Sequence, residues 1–136
     1  MNREYVDLGL SVKWATMNIG ADSVTDGGAY FAWGETVIKD DYTWEAYQHG
    51  SSANDLTKYN YEDNKLALEA TDDAATANWG EEWHIPTGTE VSGYYWSSTR
   101  NVPFADRAIC LYFVPNFIGI GNNGFRNGGF SIRPVI

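Results

Sequence analysis

Cysteine is almost missing from this chain of 136 residues: Cys110 stands alone. A single thiol excludes an intrachain disulfide and a zinc cluster built from cysteines. Histidine is nearly as scarce, and His49 and His84 lack the short spacing that aims two ligands at one metal. No apolar run approaches the length of a membrane span, so direct membrane insertion is not expected. No basic start followed by an apolar stretch marks an export signal. Cations are few, with nine Lys and Arg against eighteen Asp and Glu, a formal charge of −9. That balance disfavours nucleic acid as a partner, because a phosphate backbone calls for clustered Lys and Arg.

Aromatic residues, by contrast, are plentiful. They make up 15% of the chain, with six Trp and nine Tyr. A disordered acidic chain lacks such a supply, so a folded protein is expected. Fourteen Gly and eleven Asn accompany them, while charged residues stay at 20%. The mix favours a loop-rich, β-leaning fold over a helical bundle. The length suits one compact domain over residues 1–136.

The sharpest shortage is regional. Residues 97–136 contain no Met, Gln, Lys, Trp or Glu, whereas residues 1–96 contain twenty-one of them, including all six Trp. At the rate of the first region about nine would be expected in the second. These five residue types share one property: none has a codon ending in a pyrimidine. A segment written largely in pyrimidine-ending codons loses all five together. A glycine- and asparagine-rich β-region explains missing Lys and Glu, but not missing Trp in a Trp-rich chain. Charge divides at the same place, with a net −12 before residue 97 and +3 after it.

Local patterns give the expected elements. Residues 5–8 and 10–16 alternate around Gly9 and read as a short strand or hairpin. Residues 18–21 turn the chain, and Asp26-Gly27-Gly28 turns it again before a buried strand end at 29–34. Residues 37–60 show no period and read as a surface loop pinned by Tyr42, Trp44, Tyr47 and Tyr59. Residues 66–69 suit one helical turn. Asp72 or Asp73 caps a short helix that ends at Gly80. Residues 83–87 form a buried strand stopped by Pro86. Strands follow at 93–98, 108–114 and 130–135, with the glycine-rich 115–129 as loop. Alternation along 108–114 puts Leu111 and Phe113 inward and Cys110, Tyr112 and Val114 outward.

Several strings carry a resemblance. Tyr5-Val6-Asp7-Leu8-Gly9-Leu10-Ser11-Val12-Lys13-Trp14-Ala15-Thr16 is similar to the start of the Fibrobacter succinogenes major paralogous domain. So are Tyr30-Phe31-Ala32-Trp33-Gly34-Glu35, Trp83-His84-Ile85-Pro86-Thr87, Gly93-Tyr94-Tyr95-Trp96-Ser97-Ser98 and Phe130-Ser131-Ile132-Arg133-Pro134-Val135. That family, common in secreted proteins of gut Bacteroidales, resembles the C-type lectin fold shared with formylglycine-generating enzymes. The resemblance implies an α+β class, with small mixed or antiparallel sheets, one or two short helices and much irregular loop. Only Gly88-Thr89-Glu90-Val91-Ser92 follows Thr87, where the family continues through a second helix and a long insertion.

Short C-type lectin domains of this kind resemble the variable proteins of diversity-generating retroelements. There an error-prone reverse transcriptase alters adenines of a template repeat, and the copy replaces the 3′ end of the gene. Pyrimidine-ending Asn codons so altered never become Lys, Glu, Gln, Met or Trp. The resemblance therefore implies a ligand-binding module with a diversified C-terminal face for a protein or glycan. The candidate contact residues are Arg100, Asn101, Phe104, Asp106, Arg107, Cys110, Tyr112, Asn116, Phe117, Asn122, Asn123 and Phe125. Tyr, Phe, Arg and Asn give adaptable contacts at low entropy cost.

The alternative is an undiversified bacterial surface domain of the same family that binds carbohydrate. Either would act outside the cell or on its surface, or on a phage virion. No enzyme is expected, since the formylglycine enzymes use a cysteine pair. No cofactor or metal is expected either. Asp40-Asp41 and Asp72-Asp73 read as solvated faces or a helix cap rather than a calcium site, and the Glu-Pro-Asn and Gln-Pro-Asp sugar motifs are missing.

Overall fold

A computed structural model describes residues 3–88, 90, 96–114 and 117–136. Short polar turns set up its first half. The Asp7 carboxylate accepts from the Gly9 amide at 2.9 Å, and Gly9 takes a left-handed φ of +72°. The chain then reverses, so that β1 (Tyr5–Val6) pairs antiparallel with β2 (Trp14–Ala15). Of the two readings, strand or hairpin, the hairpin is formed, with only two paired residues per strand. Asp26 next accepts from the amides of Asp22 and Gly28. That turn leads into β3 (Tyr30–Phe31) and the buried run Phe31, Ala32 and Trp33.

The stretch 37–60 is largely irregular and held by aromatics, as expected. Tyr47 and Tyr59 are buried, Trp44 meets Tyr47 edge-on, and the Tyr42 hydroxyl donates to the Tyr30 carbonyl at 2.6 Å. An unforeseen hairpin sits inside it, β4 (Gly50–Ser52) against β5 (Asp55–Leu56). The helical turn expected at 66–69 is not formed. Those residues run extended beside β6 (Trp96–Arg100), with the Leu68 amide donating to the Ser98 carbonyl and the Arg100 amide to that of Leu66. Helix propensity gains only tenths of a kcal/mol per residue, less than pairing a sheet edge. A 3-10 turn at Ala70–Asp72 leads into α1 (Ala74–Trp79). Asp73 caps that helix as expected, accepting from Ala75 and Thr76, and also ties it to the Ile85 amide. Residues 83–87 are held by His84, whose backbone exchanges hydrogen bonds with Val135.

The largest sheet is antiparallel, in the order β6, β7 (Arg107–Val114), β8 (Phe117–Phe125). The strand expected at 93–98 is formed over 96–98. It starts among described residues at Trp96 and runs on to Arg100, while 93–95 lie outside them. Strand β8 corrects the loop expected over 115–129. Its glycines mimic turn signals, but Gly121 and Gly124 sit opposite Cys110 and Ala108 in the ladder. A Cβ on Gly124 would lie 2.5 Å from the Trp96 ring, so this glycine makes room for an indole.

Cys110 corrects a second expectation. It faces inward with Ala108 in the core cluster, 5% exposed, not outward. Cys110→Ser is therefore expected to destabilise, since a buried hydroxyl is costlier than a thiol there. The inward placement of Leu111 and Phe113 falls on side chains outside the described set.

Two indoles lock the halves of the chain together. Trp33 donates from Nε1 to the Ser97 carbonyl at 2.7 Å, and Trp96 donates to the Phe31 carbonyl at 3.0 Å. Trp96 also stacks on Phe130, with ring centroids 4.3 Å apart. The last residues close the structure: β9 (Phe130–Ser131) pairs with β3, and Lys13 and Ile136 exchange backbone hydrogen bonds. Ile132 and Val135 are buried, while Phe130 packs against the core only partly buried. Antiparallel strands in small sheets with one short helix agree with α+β at that level. Among the described residues no helix is long and apolar enough to cross a membrane.

Candidate functional site

Alternation along β8 and the turn after it splits two neighbours to opposite sides. Phe125 points out, 46% exposed, and Arg126 points in, fully buried. The Arg126 guanidinium organises everything beneath the surface. Nε donates to the Tyr47 hydroxyl, Nη1 to the carbonyls of Tyr59 and Ala105, and Nη2 to the carbonyl of Lys58, all between 2.9 and 3.1 Å. The rings of Trp33, Tyr47 and Tyr59 lie 4.8–5.7 Å from its central carbon. Carbonyl dipoles and ring faces thus stand where a carboxylate would otherwise be needed. Burial pulls the Arg126 pKa below its usual value and pushes the Tyr47 phenol well above its own.

The loop 101–106 is fastened from three sides. Asn101 Oδ1 accepts from the Phe104 amide, Arg126 holds the Ala105 carbonyl, and the Tyr61 hydroxyl donates to Pro103 O and accepts from Ala105 N. Tyr61 is itself placed by a strained neighbour. Tyr59 has a left-handed φ of +57°, rare for a bulky residue. Asp63 accepts from its amide, Arg126 donates to its carbonyl and Asp72 accepts from its hydroxyl. Burial, then the bond to Asp72, pushes the Tyr59 phenol up to about 12. Burial works against the ionised Asp72, but bonds from Lys58 and Tyr59 outweigh it and hold the carboxyl below its usual range.

On this fixed backbone stands a cluster of two exposed rings and two half-buried charges. The Arg107 amide closes a turn on the Phe104 carbonyl, and the strand register sets Arg107 opposite Phe125. The Arg107 guanidinium lies 5.1 Å from the Phe104 ring centre and 4.7 Å from that of Phe125. Phe104 is 53% exposed. Asp106 stands beside Arg107, Oδ2 to Nε 4.0 Å. The structure therefore brings together four of the twelve candidates: Phe104, Asp106, Arg107 and Phe125.

Three others are buried, which corrects the expectation that they face a ligand. Arg100 donates to the carbonyls of Lys65 and Asn101, Asn101 caps the loop, and Cys110 lies 3.7 Å from the Gly121 carbonyl. The side chains of Tyr112, Phe117, Asn122 and Asn123, and the whole of Asn116, fall outside the described residues.

Sequence reasoning missed Tyr61 and Val102, both exposed at this face. The signal available was the run Asn60-Tyr61-Glu62-Asp63, turn-forming residues around one ring. A trough of about 600 Å³ runs from this segment to Phe104. No group of three or more His, Cys, Asp or Glu suited to a metal occurs among the described residues.

This division predicts mutational tolerance. Phe104→Ser and Phe125→Ser should each change unfolding free energy by less than about 1 kcal/mol in a urea melt. A loss above about 2 kcal/mol would show that these rings belong to the core. Comparison with known protein families, curated proteins and solved structures returned no match to this chain.

Proposed function

We propose that the chain is a C-type lectin-like binding module, not an enzyme, whose C-terminal surface is diversified by a retroelement to hold varied protein or glycan targets. The observation that carries this reading is one coincidence. The segment depleted in five residue types supplies exposed Phe104 and Phe125, with half-buried Arg107 between them, on a backbone fastened by buried groups. A surface that varies must not carry the fold, and here side chains on one backbone separate the two duties. The family-like strings lend further support, because their Trp14, Trp33, Trp83, Ile85, Trp96, Ile132 and Val135 are core residues. Such a module works outside the cell, on a cell surface or on a phage virion.

The test is genomic. Near the gene there should be a reverse transcriptase and an adenine-rich near-copy of codons from about 99 to 130. Adenines in that copy should fall at the codons for Phe104, Arg107 and Phe125 and be spared at Arg126. A source genome with neither feature removes the diversification. The second reading, an undiversified carbohydrate-binding surface domain, would then stand. It draws on the exposed rings of Tyr61 and Phe104, which can stack on a sugar face.

A further inference from the structure

We propose that the trough between the 53–62 segment and Phe104 is a cation subsite that takes an arginine or lysine side chain of a protein ligand. The inference rests on the binding-module reading above and names the ligand chemistry of its face. The trough, about 600 Å³, is large enough for a guanidinium and part of its stem. Its walls include the rings of Tyr61 and Phe104, 61% and 53% exposed. Asp55, Glu62 and Asp106 line it as well, and no Lys or Arg does.

The neighbouring cations are each engaged already, two of them against the trough's own rings and Arg107 also beside Asp106. Arg107 stacks on Phe104 and Phe125, Lys58 pairs with Glu69 and Asp72, and the buried Arg100 packs on the Tyr61 ring while bonding Lys65 and Asn101. Aromatic faces with acidic edges attract a cation twice over, through the ring quadrupole and through Coulomb energy. A neutral sugar would stack on the rings and donate its hydroxyls to the carboxylates, but only a cation also gains the Coulomb energy. The charge of −12 on residues 1–96 adds a longer-range pull on a basic partner.

The Tyr61 hydroxyl, bonded at Pro103 and Ala105, fixes its ring before any ligand arrives. The Asn60 side chain, bonded to the Leu56 carbonyl and the Glu62 and Asp63 amides, fixes the floor. Little ordering cost then remains to be met on binding.

The test titrates the whole domain, isotope-labelled, with acetyl-Gly-Arg-Gly-amide and with its citrulline counterpart, which has the same shape without the charge. Amide shifts at 54–62 and 104–106 should saturate with the arginine peptide and be absent with citrulline. Glu62→Gln and Phe104→Ala should each weaken binding about three- to fivefold, and 0.5 M salt should weaken it further. Glu62 and Phe104 are both exposed, and retained spectral dispersion reports that each variant is folded. Equal binding of citrulline, shifts mapping elsewhere, or a neutral oligosaccharide perturbing the trough where arginine does not would each overturn the inference. The outcome is separable from the genomic test. A template repeat without cation binding ends this inference alone, and cation binding without a template repeat ends the diversification alone.

Discussion

Arg126→Ala should cost about 4–6 kcal/mol, enough to leave much of the domain unfolded at room temperature. The substitution leaves the carbonyls of Lys58, Tyr59 and Ala105 facing a void. Each buried acceptor without a donor costs about 1–3 kcal/mol, and water entering the cavity recovers part of that. The loops at 58–61 and 101–106 lose their common anchor together, so the damage exceeds one side chain. Arg126→Lys keeps the charge but not the planar fork, and should recover less than half of the loss. Urea unfolding followed by Trp fluorescence reads both. A loss below about 1.5 kcal/mol for the alanine variant would mean that the guanidinium is not what orders these loops.

Trp96 carries the second large effect. Trp96→Ala should cost about 3–5 kcal/mol through lost burial, a cavity beside Phe130 and an orphaned Phe31 carbonyl. Gly124 packs directly against it. An added Cβ there would sit 2.5 and 2.6 Å from Cζ3 and Cη2 of the indole, which is fully buried and cannot retreat. Gly124→Ala should therefore cost about 1–3 kcal/mol by overpacking. Trp96→Phe removes the colliding atoms. The double variant Trp96→Phe, Gly124→Ala should be more stable than the sum of the single losses by at least about 1 kcal/mol. Strict additivity would show that the two positions do not meet.

What sequence alone revealed here follows from the range of the signals. The caps and turns at Asp26, Asp73 and Gly80 were readable because a side chain satisfies amides two or three residues away. The buried aromatics were readable because few residues fill a large core space. Strand β8 was not, because Gly121 and Gly124 answer to partners across the sheet and to an indole from β6. The extended run at 66–68 was missed for the same reason, as its partner strand lies some thirty residues on. At the candidate face, Phe104, Arg107 and Phe125 could be named from their composition and setting. Arg100 and Asn101 looked equally eligible, and only tertiary geometry turns them inward. Cys110 was misplaced because the alternation along β7 was anchored on Leu111 and Phe113, the larger residues, while the small Ala108 and Cys110 make room for Trp96 and Gly124.

The closing contacts between residues 13–19 and 132–136 have a kinetic meaning. Lys13 meets Ile136 and Ala15 meets Pro134, so pairing the opening strand requires bringing together positions more than a hundred residues apart. Such non-local topology slows folding, toward milliseconds or longer, because the closure entropy is lost before the contacts form. The same logarithmic cost makes the closed loop insensitive to its contents. Doubling its length would add only about 0.6 kcal/mol. Under the proposed diversification, a varied segment inside that loop would therefore leave the cost of closure nearly constant from one variant to the next.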